Sequence, residues 1–255
     1  VATDVLRHFV ECLLPTTRVW VVRNAVNRVM VAMTRHASAD RGKPSGLNEI
    51  VRIGYFSGTP THAEDFEQCA EAVAQLLERF ANLRLMLVGH IDVPSGLGGS
   101  LDKIEVLPSV PWRKLPSLLA KADINLAPLR LDAFTSCKCA TKYLEAGLLG
   151  VPTAASPVGE FSSAIDSLEN GVLCDGPHAW LESLSMLIQD FPLRYRLGRC
   201  AYERILAQDT TYTRISDVRA VIEAVTNKPW SNDPLTTNKR RRGSAIEGGG
   251  ARPVS

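Results

Sequence analysis

From residue 50 to about residue 207 the chain alternates short apolar runs with longer amphipathic stretches, and this alternation constrains the fold more than any other feature. Strands are expected at Val51–Phe56, Leu83–Val88, Ile104–Leu107, Ile124–Ala127, Pro152–Ala155 and Gly171–Cys174. All are short and apolar, the pattern of strands buried on both faces. Helices are expected between them over Ala63–Phe80, Trp112–Ala122, Lys138–Leu149, Phe161–Leu168 and Ala179–Phe191. In the first of these Phe66, Ala70, Val73, Leu76, Leu77 and Phe80 fall near one face, and no Gly or Pro interrupts residues 65–80. Strands joined by helices of this length imply right-handed βαβ units, hence an α/β chain with a mostly parallel sheet. Two further helices are expected over residues 193–225.

The remainder of the chain is less regular. Residues 1–14 place Val5, Phe9, Leu13 and Leu14 roughly on one helical face, and Arg18–Val22 reads as a short strand. Residues 36–48 carry Gly, Pro and Ser without periodicity, the chemistry of a linker. Beyond Thr226 the pattern stops, and residues 227–255 read as a disordered basic tail with the run Lys239-Arg-Arg-Arg242. That run is expected to be solvated; a localisation signal or an anionic-surface contact is the other reading.

Charge and cysteine content exclude several classes. The net charge is +2, and its excess sits in the tail, so a dedicated nucleic-acid binder is not expected. No apolar run is long enough to cross a membrane, and the N-terminus lacks the basic and apolar regions of a signal peptide. Val1 in place of a start methionine fits a processed chain, a domain cut or a fragment. Six cysteines in 255 residues are too sparse for a disulfide scaffold. Cys137-x-Cys139 has no second pair at metal-ligand spacing, so reduced thiols, no metal and a cytoplasmic location are expected.

An open parallel sheet binds ligands at the carboxyl ends of its strands. After the first strand comes Ser57-Gly58-Thr59-Pro60-Thr61-His62. Gly58 lets the backbone approach a ligand, and the following helix offers free amides and a positive dipole end suited to phosphate. Neither a Walker A loop nor Gly-x-Gly-x-x-Gly is present, and an ordinary strand–helix turn remains the alternative. After the fourth strand, Lys138 and Lys142 are expected four residues apart on one face of the next helix. Like charges at that spacing repel, and cations at a helix beginning oppose the dipole, so an anion such as a diphosphate would repay both. Glu145 lies three residues past Lys142 and can accept hydrogen bonds from sugar hydroxyls or simply pair with Lys142. Glu160 reads as an exposed residue at a helix start.

Five segments carry a resemblance. Ile53-Gly-Tyr-Phe-Ser-Gly-Thr-Pro-Thr-His62, Leu87-Val-Gly-His90, Asp123-Ile-Asn-Leu-Ala-Pro128, Lys142-Tyr-Leu-Glu-Ala146 and Gly150-Val-Pro-Thr-Ala-Ala-Ser-Pro157 stand in order. Together they resemble a group-1 (family 4-like) glycosyltransferase over residues 50–225. The resemblance implies a Rossmann-like three-layer sheet forming the C-terminal, donor-binding half of a GT-B fold. It implies a UDP- or GDP-linked sugar as substrate, with no cofactor. Gly58 and Thr59 would approach the phosphates, Lys138 and Lys142 would neutralise the diphosphate, and Glu145 would hold the ribose. The base would lie near Val110-Pro111-Trp112. Lys138 and Glu145 are the catalytic candidates, Lys138 as the leaving-group cation.

The chain also departs from the family. Many members carry Glu-x7-Glu, and its first position here is Cys137, followed by the lysine that some branches carry. Residues 1–22 resemble only the last helix and strand of the acceptor domain, and Arg23–Asn27 stands where members have a Pro-Asn-Gly-type turn. The implied organisation is an acceptor-domain remnant plus linker over 1–45, a donor domain over 46–226 and a tail over 227–255. The implied reaction is sugar transfer to an acceptor hydroxyl with retention at the anomeric carbon. No Asp-x-Asp is present to hold a divalent ion, which fits a metal-independent site. The acceptor is unknown; a missing N-terminal domain and peripheral membrane association are further expectations. Rival readings are a non-catalytic nucleotide-sugar-binding module or partner subunit, an epimerase on the same fold, and a flavodoxin-like or receiver-like binding domain. The last lacks both an acidic cluster and a flavin loop.

Overall fold

The computed structural model describes residues 1–39, 49–58 and 63–230. The chain falls into two compact units, 1–215 and 216–255, and the first holds the whole sheet. Thr59, most of the 36–48 linker and residues 231–255 with Lys239–Arg242 lie outside the described residues.

In chain order the elements are α1 (Asp4–Leu13), α2 (Arg28–Ala39), β1 (Val51–Ser57), α3 (Ala63–Arg79), β2 (Leu83–Gly89), β3 (Ile104–Leu107) and α4 (Leu115–Leu119). Then come β4 (Ile124–Ala127), α5 (Thr141–Gly147), β5 (Thr153–Ala155), α6 (Phe161–Ala164), β6 (Val172–Leu173), α7 (Gly176–Gln189), α8 (Phe191–Gln208) and α9 (Ile215–Thr226). The sheet has six strands in the order β3-β2-β1-β4-β5-β6, every neighbouring pair parallel. That is the doubly wound order, with its switch point between β1 and β4. The Rossmann-like three-layer sheet read from the sequence is the fold observed.

Each layer follows from the apolar pattern. Phe66, Val73, Leu76 and Leu77 of α3 pack with Trp180, Leu184 and Leu187 of α7 against Ile53, Tyr55, Leu85 and Leu87. Leu119 of α4 and Ala146 of α5 join Phe56, Met86 and Val88 in a separate cluster. Gly147 brings α5 onto α8, where an added Cβ would meet Ile205 Cδ1 at 2.3 Å. Buried Asn125 on β4 donates to the Lys142 carbonyl at 3.3 Å and to Thr153 Oγ1 at 3.1 Å, tying the first turn of α5 to the sheet.

The structure corrects several expectations. Arg18–Val22 forms no strand, since no partner strand stands beside it among the described residues. The segment is instead tied down by the Val22 amide on the Val1 carbonyl and the N-terminal ammonium on the Trp20 carbonyl. Residues 28–39 form α2, which was not expected. Asn27 is its cap, its Oδ1 accepting from the Met30 amide at 2.9 Å. The 112–122 helix shortens to α4, a segment that begins with turns after Pro111. The 161–168 helix ends at Ala164 because Asn170 takes over the backbone, accepting from the Asp166 amide and donating to the Ala164 carbonyl.

Candidate functional site

The expected helix Lys138–Leu149 begins only at Thr141, so Lys138 does not share a helical face with Lys142. Lys138 ends a short 3-10 turn over Thr135–Cys137 and is itself extended, φ −71° and ψ 141°. Its backbone is held at both ends. Its amide donates to the Thr135 carbonyl at 3.0 Å, and its carbonyl accepts from the Glu160 amide at 3.1 Å. Gly159, at φ +62°, lies so close that an added Cβ would stand 2.6 Å from the Lys138 carbonyl oxygen. A glycine is required there on both counts.

The Lys138 side chain is largely buried, and its Nζ stands 2.9 Å from Oδ2 of Asp65, itself only 3% exposed. Its ammonium also lies 5.2 Å from the centre of the Phe134 ring. Asp65 belongs to the first turn of α3, where a carboxylate favours the helix dipole. Its other oxygen accepts from the Arg130 amide at 3.2 Å. Arg130 in turn bridges Glu64 at 2.6 Å and Asp132 at 3.0 Å on the exposed rim. Hydrogen bonds from the Thr135 amide and from Arg130 hold the Asp132 carboxyl at about 2. This loop is therefore fixed before any ligand arrives.

Lys142 lies behind Lys138. Its Nζ is buried, has no hydrogen-bond partner among the described residues, and sits 4.2 Å from the centre of the Tyr55 ring. Burial lowers this ammonium to about 8, against the pull of the Asp65 carboxylate. A desolvated cation here attracts an anion more strongly than one exposed to water would.

Glu145, one turn further along α5, faces the other way. It lines a narrow apolar slot with Met30 and Met33 of α2, Trp112, Leu115 and Leu119. The slot encloses about 30 Å³, room for water but not for a nucleoside. Burial raises the Glu145 carboxyl to about 7, with Lys142 opposing. Trp112, half exposed, stands in the segment where the resemblance puts the base. Gly58 directly follows β1, and among the described residues nothing lies within 4 Å of an added Cβ. A larger hollow of about 320 Å³ lies beside the edge, between Glu67, Leu129, Ser156 and Asp175.

Glu160 is not exposed as expected. Its side chain is 15% exposed, its Oε1 faces Arg23 Nε at 3.6 Å, and burial raises its carboxyl. The first residues of the chain also reach this loop. Thr3 Oγ1 donates to the Cys137 carbonyl at 3.3 Å, and Asn24 donates to Cys139 Sγ at 2.8 Å. Asp65 and Tyr55 were the residues missed. Their signal was weak, since one reads as a helix-start acid and the other as a core aromatic. Among the described residues no group of three His, Cys, Asp or Glu side chains could hold a metal ion. No helix among them is long and apolar enough to cross a membrane.

Residues 50–190 match the family model described as glycosyl transferases group 1. The D-inositol 3-phosphate glycosyltransferase of Corynebacterium efficiens is 31% identical over 163 residues, 58% of this chain and 37% of that protein. The enzyme of the same name from Thermobispora bispora is 28% identical over 194 residues, 69% of this chain and 44% of its own length. The chain thus spans less than half of either. Among solved structures, WaaG, a glycosyltransferase involved in lipopolysaccharide biosynthesis, superposes with a TM-score of 0.68 at 17% identity. That match covers 89% of this chain and 62% of WaaG. The pneumococcal O-GlcNAc transferase GtfA, solved with UDP and GlcNAc, gives 0.63 at 14% identity over 89% of this chain and 45% of its own.

Proposed function

This chain belongs to the group 1 glycosyl transferases, and we propose that the edge formed by Gly58, Lys138 and Lys142, with Glu145 in the slot alongside, binds the nucleotide sugar from which a glycosyl group is transferred. The observation that carries this reading is the pair of lysines at the carboxyl ends of β1 and β4. One is held on a buried carboxylate and the other is buried without a hydrogen-bond partner among the described residues. Neighbours of the same fold solved with UDP and a sugar support the donor class.

In this reading the diphosphate lies over Gly58 against Lys138, with Lys142 adding its charge from beneath. Glu145 lies in the slot beside Trp112, apart from the lysines, so it meets the ribose only where that slot opens onto the edge, with Trp112 flanking the base. Departure of the nucleoside diphosphate builds negative charge on the leaving oxygen. A fixed ammonium neutralises that charge without reorganisation, which is where preorganised electrostatics lowers a barrier most. The cation is a side chain rather than a divalent ion. The sugar passes to an acceptor hydroxyl with retention, and the acceptor is read by a second domain facing this edge. The reaction takes place in the cytoplasm, with the acceptor at a membrane surface as one setting.

The test is calorimetric titration of the chain with UDP, GDP and ADP, repeated with Lys138→Ala. One nucleotide should bind saturably, and the variant should lose at least about tenfold in affinity, or about 1.4 kcal/mol. Absence of binding to all three, or equal affinity in the variant, contradicts the assignment.

A further inference from the structure

We propose that Asp65 is the positioning residue of the donor site, holding Lys138 where the diphosphate meets it; this rests on the donor-site reading above. A lysine side chain is a flexible four-carbon stem, and one on an irregular segment has no helix to direct it. Lys138 stands on such a segment, three residues ahead of α5. Its ammonium is fixed by Asp65 Oδ2 at 2.9 Å, and the Phe134 ring flanks it at 5.2 Å.

Asp65 is built for this purpose in three respects. It sits in the first turn of α3, a 17-residue helix packed into the core, so its own position is rigid. It is 3% exposed, and a buried carboxylate persists only where cations and donors surround it. Its second oxygen takes the Arg130 amide at 3.2 Å, so the loop leaving β4 and the segment bearing Lys138 are referred to the same carboxylate. Its charge also favours the protonated form of Lys142 against burial.

A negative group beside an anion site is unfavourable unless it organises more positive charge than it cancels. Here one carboxylate stands against two ammonium groups, so the trio keeps one net positive charge. Asp65 touches no substrate in this arrangement. It acts through Lys138, and its loss should be felt only while Lys138 is present.

Inorganic pyrophosphate tests this without reference to base or sugar. Titrations are made on the whole chain and on Asp65→Asn, Lys138→Ala and the double variant. Asparagine keeps the size and one acceptor but removes the charge. Asp65→Asn should weaken pyrophosphate binding roughly tenfold, and the double variant should bind no more weakly than Lys138→Ala alone. A second readout follows Lys138 itself. After reductive ¹³C-methylation its resonance should shift and narrow in Asp65→Asn, as expected of an ammonium released from a rigid partner.

Equal or tighter pyrophosphate binding by Asp65→Asn overturns the proposal, since Asp65 would then be a bystander or a competitor. Strictly additive losses in the double variant overturn it too, as does an unmoved Lys138 resonance. In each of these cases the parent chain still binds pyrophosphate, and the donor-site reading survives. A parent chain that does not bind pyrophosphate overturns both.

Discussion

Replacing Lys142 with methionine should make the protein more stable and, on the proposed function, weaken its donor binding. In the folded chain the Lys142 ammonium is lowered from 10.5 to about 8, chiefly by burial. At 1.36 kcal/mol for each pH unit, the gap costs the folded state about 3 kcal/mol while the lysine is charged. The unfolded chain holds this proton more tightly. Stability from this group is therefore lowest below about pH 8 and recovers as the pH rises toward 10.5. The Tyr55 ring, 4.2 Å away, returns a part of that cost, of order 1–2 kcal/mol for a desolvated cation. Methionine has nearly the same length and no charge to bury, so a net gain of about 1–2 kcal/mol is expected at pH 7. Urea unfolding of the two proteins at pH 7 and at pH 10.5 measures it. The variant's advantage should appear at the lower pH and vanish at the higher. A variant less stable than its parent at pH 7 refutes the reasoning, because the ammonium would then sit in a favourable pairing. Pyrophosphate affinity should fall several-fold in the same variant.

Glu145 works in the opposite direction along the pH scale. Its carboxyl is raised from 4.5 to about 7, so its contribution to stability is intact below 4.5 and declines as the pH rises to about 7. Glu145→Gln should remove that decline, an effect of order 3 kcal/mol read as the difference between two urea-midpoint profiles; parallel profiles would contradict it. Gly159→Ala should cost at least about 1–2 kcal/mol, because it combines a left-handed backbone with a Cβ 2.6 Å from the Lys138 carbonyl. Nucleotide affinity should fall with it, and a variant unchanged in both would mean that the contact yields freely.

The parallel sheet was legible because Val51–Ser57 and Leu83–Gly89 are short, mostly apolar runs, too short for helices and apolar on both faces beyond Arg52 and Arg84. The helix α3 was legible for the complementary reason, an unbroken one-sided stripe. What failed to show was set by single side chains acting on the backbone. Asn27 caps α2 and Asn170 ends α6, and either residue reads equally well as a loop asparagine. The site divides along the same line. Lys138, Lys142 and Glu145 were visible because charge at a strand exit is costly and calls for a reason. Their relation was misread, since the repulsion argument assumed a helix that starts three residues later. Asp65 stayed hidden because its partner lies 73 positions away, and a distance of that kind has no periodicity to reveal it.

Val26 has a consequence for the order in which the molecule assembles. It is 1% exposed, its amide donates to the Asp209 carbonyl at 2.8 Å, and its carbonyl accepts from the Thr211 amide at 2.9 Å. These bonds close a loop of more than 180 residues, at an entropic cost of about 4–5 kcal/mol. No stretch of chain can recover that cost until the sheet and α8 already stand. During synthesis the Val26 segment leaves the ribosome well before Asp209 and Thr211, so this pairing waits for the far end of α8.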